Sequence, residues 1–414
     1  NTDFNASTST GVGHTVNAAA TTTTITAHTP NPSAVGQAVD FTFAVTATAP
    51  GSGTPTGTVT VSDGTQSCGA TVAAGNCSIT FNAAGGRSVT ATYAGDGNYA
   101  TSTSGPVTQT VGAASTTTAI TGHAPNPSVV GQAIAVTFTV TSSGGTPTGN
   151  VTVSDGAAIC TGTVAAGGCS LTPTTAGAKT LTATYGGDDN FGGSTSAGVS
   201  QTVNAAATTT AITGHTPNPS AVGQAIAVTF TVTSSGGTPT GNVTVSDGPA
   251  TCTGTVAAGA CNLTPTTAGS KTLTATYAGD ANFGGSTSAG VSHTVTTAAT
   301  TTTISGNTPN PSAVGAAVAV TFTVTSTGGT PTGNVTVSDG LESCVGTVAA
   351  GTCSLTPTTA STKTLTAVYA GDANFAGSTS AGVTQTVTAA STAITITGHT
   401  PTPAPGPSPL GRAA

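Results

Sequence analysis

The sequence predicts an all-β chain: four tandem antiparallel β-sandwiches in an extended rod, with an orphan strand at each end. Three observations carry this. One unit of about 92 residues is written four times, apolar and polar residues alternate with period two inside it, and Gly, Pro, Asn and Asp punctuate the alternation.

The cysteines set the period. Cys68/Cys77, Cys160/Cys169, Cys252/Cys261 and Cys344/Cys353 are pairs nine apart, each pair 92 residues after the last. Tyr93, Tyr185, Tyr277 and Tyr369 keep the same step, as do Arg87, Lys179, Lys271 and Lys363. The last strand of a unit ends near Val16, Val111, Val203, Val295 and Val387. The first unit is three residues longer, because residues 46–53 replace the shorter run that begins at Thr141. The units are therefore 18–112, 113–204, 205–296 and 297–388. A period this long exceeds the roughly 20–50 residues of a solenoid repeat and suits a whole domain with its own core.

In the second unit, strands are expected at 118–122, 133–141, 150–154, 160–164, 169–172, 179–185 and 198–203. Within 133–141, Ile134, Val136, Phe138 and Val140 share one face, and Ala135, Thr137, Thr139 and Thr141 share the other. Leu181, Ala183 and Tyr185 alternate with Thr180, Thr182 and Thr184 in the same way. Turns fall at Pro125-Asn126-Pro127-Ser128, Ser154-Asp155-Gly156 and Gly186–Asn190. No stretch holds a helical period. About seven short strands in each unit mean an antiparallel sandwich.

The ends are incomplete units. Residues 1–16 match the register of 280–295, so 1–17 reads as an orphan last strand. Residues 389–399 match a first strand, so 389–414 reads as an orphan first strand followed by a Pro-rich tail from Thr400 to Pro409. Neither can bury its apolar face alone, and single strands gain stability by adding to another sheet's edge. Asn1 in place of a start Met points to a processed or excised chain, which leaves room for a signal peptide already removed.

Composition narrows the function. The chain holds 5 Lys+Arg and 12 Asp+Glu, a net charge of −7, and only 4% charged residues, against about 25% in ordinary soluble domains. There is no basic face for a nucleic acid and no polybasic membrane anchor. No apolar run approaches the roughly 20 residues that span a bilayer. Nucleic acid and membrane insertion are excluded as partners.

The candidate chemistry is sparse. Paired cysteines at one spacing read as disulfides made in an oxidising compartment, each worth roughly 2.5–3 kcal/mol for so short a loop. Free buried thiols are one alternative. A metal site is the other, but it wants about four clustered ligands and each unit offers two thiols. His28, His123, His215 and His399 precede the Pro turn, where Asn307 stands in unit four. His14 and His293 occupy the slot of Gln109, Gln201 and Gln385. An imidazole exchanged for an amide within one chain reads as an ordinary polar strand-end residue. Asp63, Asp155, Asp247 and Asp339 in Ser-Asp-Gly, and Asp96, Asp188, Asp280 and Asp372 in Gly-Asp-x-Asn, fit Asx turns more simply than calcium or a glycosidase pair. The Lys/Arg slot reads as a solvated turn residue rather than an isopeptide donor, since Arg87 cannot form that bond. Asn150 and Asn242 begin glycosylation sequons of little weight in so Thr-rich a chain. No nucleophile elbow, phosphate loop or zinc-protease motif is present. The expectation is a non-enzyme with no catalytic residue, cofactor or metal site.

The order of a Thr-rich first strand, Pro-Asn-Pro-Ser-x-Val-Gly-Gln (125–132), Gly-Thr-Pro-Thr-Gly-x-Val-Thr-Val-Ser-Asp-Gly (145–156) and Thr-Ala-Thr-Tyr-x-Gly-Asp-x-Asn-Phe (182–191) resembles the tandem bacterial Ig-like repeats of secreted and surface proteins. The resemblance covers 18–388 in four copies. It implies Ig-like sandwiches and a secreted or cell-surface location. The expected function is that of a structural subunit of an extracellular fibre, polymerising head to tail by strand exchange of its terminal segments. The alternative is the stalk of a surface adhesin or glycan-binding protein. Expected partners are other copies of the chain, or a glycan or host-surface ligand.

Overall fold

A computed structural model describes residues 2–398, 400–404 and 406. Asn1, His399, Pro405 and residues 407–414, which include much of the Pro-rich tail, lie outside the described residues. The described residues form strands and no helix. They cluster into two units: one holds the described residues up to 208 with the segments 234–239 and 279–284, the other holds 209–233, 240–278 and the described residues from 285 on.

Repeat 1 shows the pattern. Its strands are β1 (Thr21–Thr29), β2 (Ser33–Ala34), β3 (Ala38–Ala47), β4 (Thr58–Ser62), β5 (Ser67–Thr71), β6 (Asn76–Thr80), β7 (Gly85–Tyr93), β8 (Ser102–Thr103) and β9 (Val107–Gly112). One sheet runs β1-β3-β6, and the other runs β2-β9-β7-β4-β5 with β8 added to β7. All pairings are antiparallel except β2 with β9. A bulge between Ile25 and Ala27 lets β1 change register against β3.

Alternation explains the two layers. In β3, Val39, Phe41, Phe43 and Val45 are buried, while Ala38, Asp40, Thr42, Ala44 and Thr46 face solvent. Val59 and Val61 of β4, with Val89, Ala91 and Tyr93 of β7, meet them from the second sheet. Each large apolar side chain so buried contributes about 1.5–3 kcal/mol. Buried tyrosines, Tyr93, Tyr185, Tyr277 and Tyr369, are among the bulkiest side chains in the repeats.

The second repeat follows the faces read from its sequence: Ile134, Val136, Phe138 and Val140 are buried and their neighbours exposed. It has nine strands instead of about seven. The additions are Ser128–Val129 and Ser194–Thr195, two residues each and too short to show a period. Repeats 3 and 4 keep the same order of strands. In unit 1 the buried apolar residues of repeats 1 and 2 form one continuous cluster; in unit 2 the cluster of repeat 4 takes in Val222 and packs against Ala268.

Residues 2–17 and 389–398 make no ladder. Phe4 (82%), Val12 (91%), Val16 (83%), Ile394 (90%) and Ile396 (83%) stand exposed.

Candidate functional site

The polar residues singled out by the sequence hold turns and tie neighbouring strands to one another. Cys68 on β5 and Cys77 on β6 are joined with Cα atoms 5.9 Å apart. Because β5 and β6 belong to different sheets, the bond ties the two layers at one edge. Cys160–Cys169, Cys252–Cys261 and Cys344–Cys353 are joined likewise.

The Ser-Asp-Gly aspartates close the β4–β5 turn and its counterparts. Asp63 Oδ1 accepts the N–H groups of Thr65 (2.9 Å) and Gln66 (2.7 Å), and Asp339 Oδ1 those of Leu341 and Glu342. Burial works to raise the Asp63 carboxyl, but the N–H donors and the Arg87 charge outweigh it and hold it below its ordinary value. The same balance, with Lys363 as the cation, lowers Asp339. Lys363 Nζ lies 3.8 Å from Asp339 Oδ2, and the lysine is only 7% exposed. This corrects the solvated-turn reading of the Lys/Arg slot. Arg87 lies within β7, where it pairs with Gln109, and its guanidinium donates to Ala83 O.

The Gly-Asp-x-Asn aspartates are more heavily engaged. Asp188 Oδ1 accepts from Asn190 N (2.8 Å) and Phe191 N (2.9 Å); Oδ2 accepts from Thr148 N (3.1 Å) and Thr148 Oγ1 (2.7 Å). The Thr148 hydroxyl leads in lowering the Asp188 carboxyl to about 2. Asp96 is depressed chiefly by the Thr56 hydroxyl; Asp372 is depressed because its donors overcome burial. Burial first, then the adjacent Asp carboxylate, raises the hydroxyls of Tyr93, Tyr185 and Tyr369. A carboxylate accepting four protein donors has little left for a cation. Among the described residues no group of three or more His, Cys, Asp or Glu side chains could hold a metal ion.

The His/Gln slot is buried, which corrects its reading as an ordinary strand-end position. Gln109 is 0% exposed. Its Nε2 donates to Pro30 O (3.0 Å), Ser33 Oγ (3.1 Å) and Thr110 O (3.1 Å), and its Oε1 pairs with His28 Nδ1 at 2.7 Å. The amide thus pins the Pro turn to β9. His123 pairs with Gln201, and Asn307 donates to Gln385. Repeat 3 substitutes a second imidazole: His293 Nδ1 lies 3.0 Å from His215 Nδ1, and its Nε2 lies 2.9 Å from Ser220 Oγ. Burial, then the neighbouring His215, pulls His293 below its ordinary value.

One polar role was missed in the sequence. Asn190, two residues after Asp188, sends its Oδ1 back to repeat 1 and accepts Ala84 N–H at 2.9 Å. Beside this clasp the backbones nearly touch. A Cβ added at Gly36 (φ +78) would lie 2.5 Å from Gly144 Cα, and one at Gly144 would lie 2.5 Å from Val35 O and 2.6 Å from Ala114 Cβ. Only glycine fits such an approach. Unit 1 repeats the clasp from Asn282 to Ala176 N, and unit 2 has it from Asn374 to Ala268 N, each 2.9 Å. The recurrence of Asn two residues after the aspartate in every unit was the available signal.

Four stretches of the chain, 25–112, 120–204, 212–296 and 304–388, match the family model described as bacterial Ig-like domain (group 3). The chain belongs to that family. These Ig-like repeats account for most of its length. Among solved structures, the chain is similar to the Escherichia coli adhesin FdeC, with 16% identity, 66% of this chain and 96% of that chain covered, and a TM-score of 0.22. A Ca2+-stabilized ice-binding adhesin of an Antarctic bacterium matches at 21% identity over 90% of this chain and 100% of its own, with a TM-score of 0.22. Fibronectin(III)-like modules of Clostridium thermocellum CbhA match at 16% identity over 44% of this chain and 95% of theirs, with a TM-score of 0.20. None of the curated proteins matches the chain. No helix among the described residues is long and apolar enough to cross a membrane.

Proposed function

We propose that this chain is a structural segment of a secreted or cell-surface bacterial protein, one that spaces and joins other parts and transforms no substrate. The observation that carries the reading is that the chemically capable side chains are committed to architecture. The cysteines are bridged, Asp188 accepts four donors, and Gln109 is buried under its own hydrogen bonds. Bridged cysteines favour an oxidising compartment.

The finer reading is a fibre subunit that joins head to tail by strand exchange of its terminal segments. Its support is the exposure of Phe4, Val12, Val16, Ile394 and Ile396 in segments that make no ladder. The stalk of an adhesin or glycan-binding protein is the second reading, favoured by outward Thr faces such as Thr137, Thr139 and Thr141.

Immunogold labelling of intact producing cells tests the first claim: label at the cell surface or in the medium is expected, and label confined to the cytoplasm refutes it. Electron microscopy tests the fibre. Filaments should vanish when residues 2–17 and 389–398 are removed, and filaments that persist exclude strand exchange. Binding of isolated repeats to a glycan array would instead favour the second reading.

A further inference from the structure

The buried slot that ties the Pro turn to the last strand has one odd member. In repeats 1, 2 and 4 a glutamine fixes every role in it. The amide Nε2, which only donates, lies 3.1 Å from Ser33 Oγ, 3.2 Å from Ser128 Oγ and 3.1 Å from Ser312 Oγ, so in each case the serine oxygen accepts. The amide Oε1, which only accepts, takes a proton from His28 Nδ1, His123 Nδ1 or Asn307 Nδ2.

Repeat 3 puts an imidazole on both sides. Ser220 Oγ lies 2.9 Å from His293 Nε2, and in the role its counterparts play it accepts that N–H. The neutral His293 ring then carries its lone pair on Nδ1. That nitrogen faces His215 Nδ1 at 3.0 Å, with the ring planes 76° apart. His215 sits on Thr209–Thr216 and His293 on Val291–Thr296, strands of different sheets, so the two nitrogens come from two layers. His293 is 1% exposed, while His215 is half-buried and helps Asn218 and Val291 to line an open cavity of about 380 Å³. Asp247 is buried, its Oδ2 has no hydrogen-bond partner among the described residues, and it lies near enough to act on the charge of His293. Lys271, opposite His293 in the ladder, turns its ammonium to Thr267 Oγ1.

We propose that His215 and His293 form a binding site for a divalent late transition-metal ion, Cu(II) or Ni(II), held between their Nδ1 atoms. Without the ion, His215 Nδ1–H donates to His293 Nδ1. With it, His215 carries its proton on Nε2, and both Nδ1 lone pairs turn to the metal; no proton is released and no oxidation state changes. At a metal–nitrogen distance of about 2.0–2.1 Å, nitrogens 3.0 Å apart subtend about 95° at the ion. A tetrahedral site would set them roughly 3.3–3.4 Å apart. The near right angle suits the tetragonal geometry of Cu(II) and Ni(II) better than zinc. The Ser220 oxygen, holding the far side of the His293 ring, orients the ligand as outer-shell acceptors do. Water in the cavity completes the coordination, and the Asp247 carboxylate opposes the added charge. Two protein ligands are fewer than a resident metal takes, so the ion exchanges with the surroundings. The site lies inside repeat 3 and goes beyond the structural-segment reading; neither cell location nor the terminal segments bear on it.

Calorimetric titration of the full chain with copper(II), nickel(II) and zinc(II) chlorides at neutral pH tests the site. Copper and nickel should bind at one site that His293→Gln abolishes. That variant installs the residue the other three repeats carry, so it keeps the fold, which far-ultraviolet circular dichroism verifies. Gln201→His sets the same pair against His123 and should create a second site in repeat 2. With the ion at a hundred times its dissociation constant, amide-exchange protection of Val291–Thr296 should rise about a hundredfold in the wild type and stay unchanged in His293→Gln. Copper should broaden the amide resonances of Gly214, His215 and Thr294 before those of repeats 1 and 2. A wild-type chain that binds neither copper nor nickel at about 1 mM, or binding that His293→Gln leaves intact, overturns the proposal. Zinc held more tightly than nickel overturns the right-angled geometry and with it the choice of metal.

Discussion

Asp188 and His293 show how single residues decide where these repeats yield. The Asp188 carboxylate is drawn to about 2 from an ordinary 3.8 by the Thr148 hydroxyl and backbone donors. A lowered carboxyl stabilises the fold above its unfolded value, and that contribution is lost as pH falls through the folded one. The Gly186–Asn190 loop should therefore stay ordered at pH 4 and loosen toward pH 2. Asp188→Ala should strip amide-exchange protection from Asn190, Phe191 and Thr148 at neutral pH; protection that persists would mean the carboxylate does not hold the loop. His293 titrates with the opposite change of charge but the same direction of loss. Its folded value lies below 6.5, so the neutral ring is favoured and its stabilisation is complete above pH 6.5. That stabilisation fades as pH falls toward the folded value. The groups around it are His215, Ser220, Asp247 and the paired Lys271, and of these Asp247 opposes the shift. Repeat 3 should soften first on mild acidification, and His293→Gln should remove that sensitivity, since Gln109, Gln201 and Gln385 do the same work without titrating near pH 6. Hydrogen exchange of β-strand Val291–Thr296 at pH 5 and pH 7 checks it; equal protection in the wild type would refute it.

At the scale of the element, the tie between β5 and β6 and the packing of β3 carry the sandwich. Cys160→Ala with Cys169→Ala should lower the stability of repeat 2 by roughly 2.5–3 kcal/mol, the closure term for so short a loop. Denaturant melts of the variant repeat against its neighbours measure this. Phe138→Ala empties a site 1% exposed between the sheets and should cost about 3–5 kcal/mol. The long strands were legible because their alternation runs for several residues: 133–141 and 179–185 became Ile134–Thr141 and Gly177–Tyr185. Ser128–Val129 and Ser194–Thr195 were not, because two residues have no period, and Ser128–Val129 is paired by a strand some 75 residues away. The Asx turns at Asp155 and Asp188 were readable from local sequence, since donor and acceptor lie within three residues. The burial of Gln109 and the reach of Asn190 were hidden for the converse reason. Ser33 lies 76 positions from Gln109 and Ala84 lies 106 from Asn190, and only the folded chain brings them near.

At the scale of the whole molecule, the repeats act through what they share and where they meet. Gly144→Val would drive a side chain into Val35 O and Ala114 Cβ without entering the interior of repeat 2. Cleavage by protease between Gly112 and Thr116 should rise, while melting of the two sandwiches changes little; an unchanged cleavage rate would show that this close approach does not hold the repeats together.

The bridge between neighbouring sheets also matters when the chain is pulled from its ends. Nine positions separate Cys68 from Cys77, with Cα atoms 5.9 Å apart. At up to about 3.6 Å per extended residue, the bond withholds roughly 25 Å of contour length from every repeat that opens under tension. A reducing milieu would hand that slack back, so the thiol chemistry of the surroundings sets how far the stretched molecule extends.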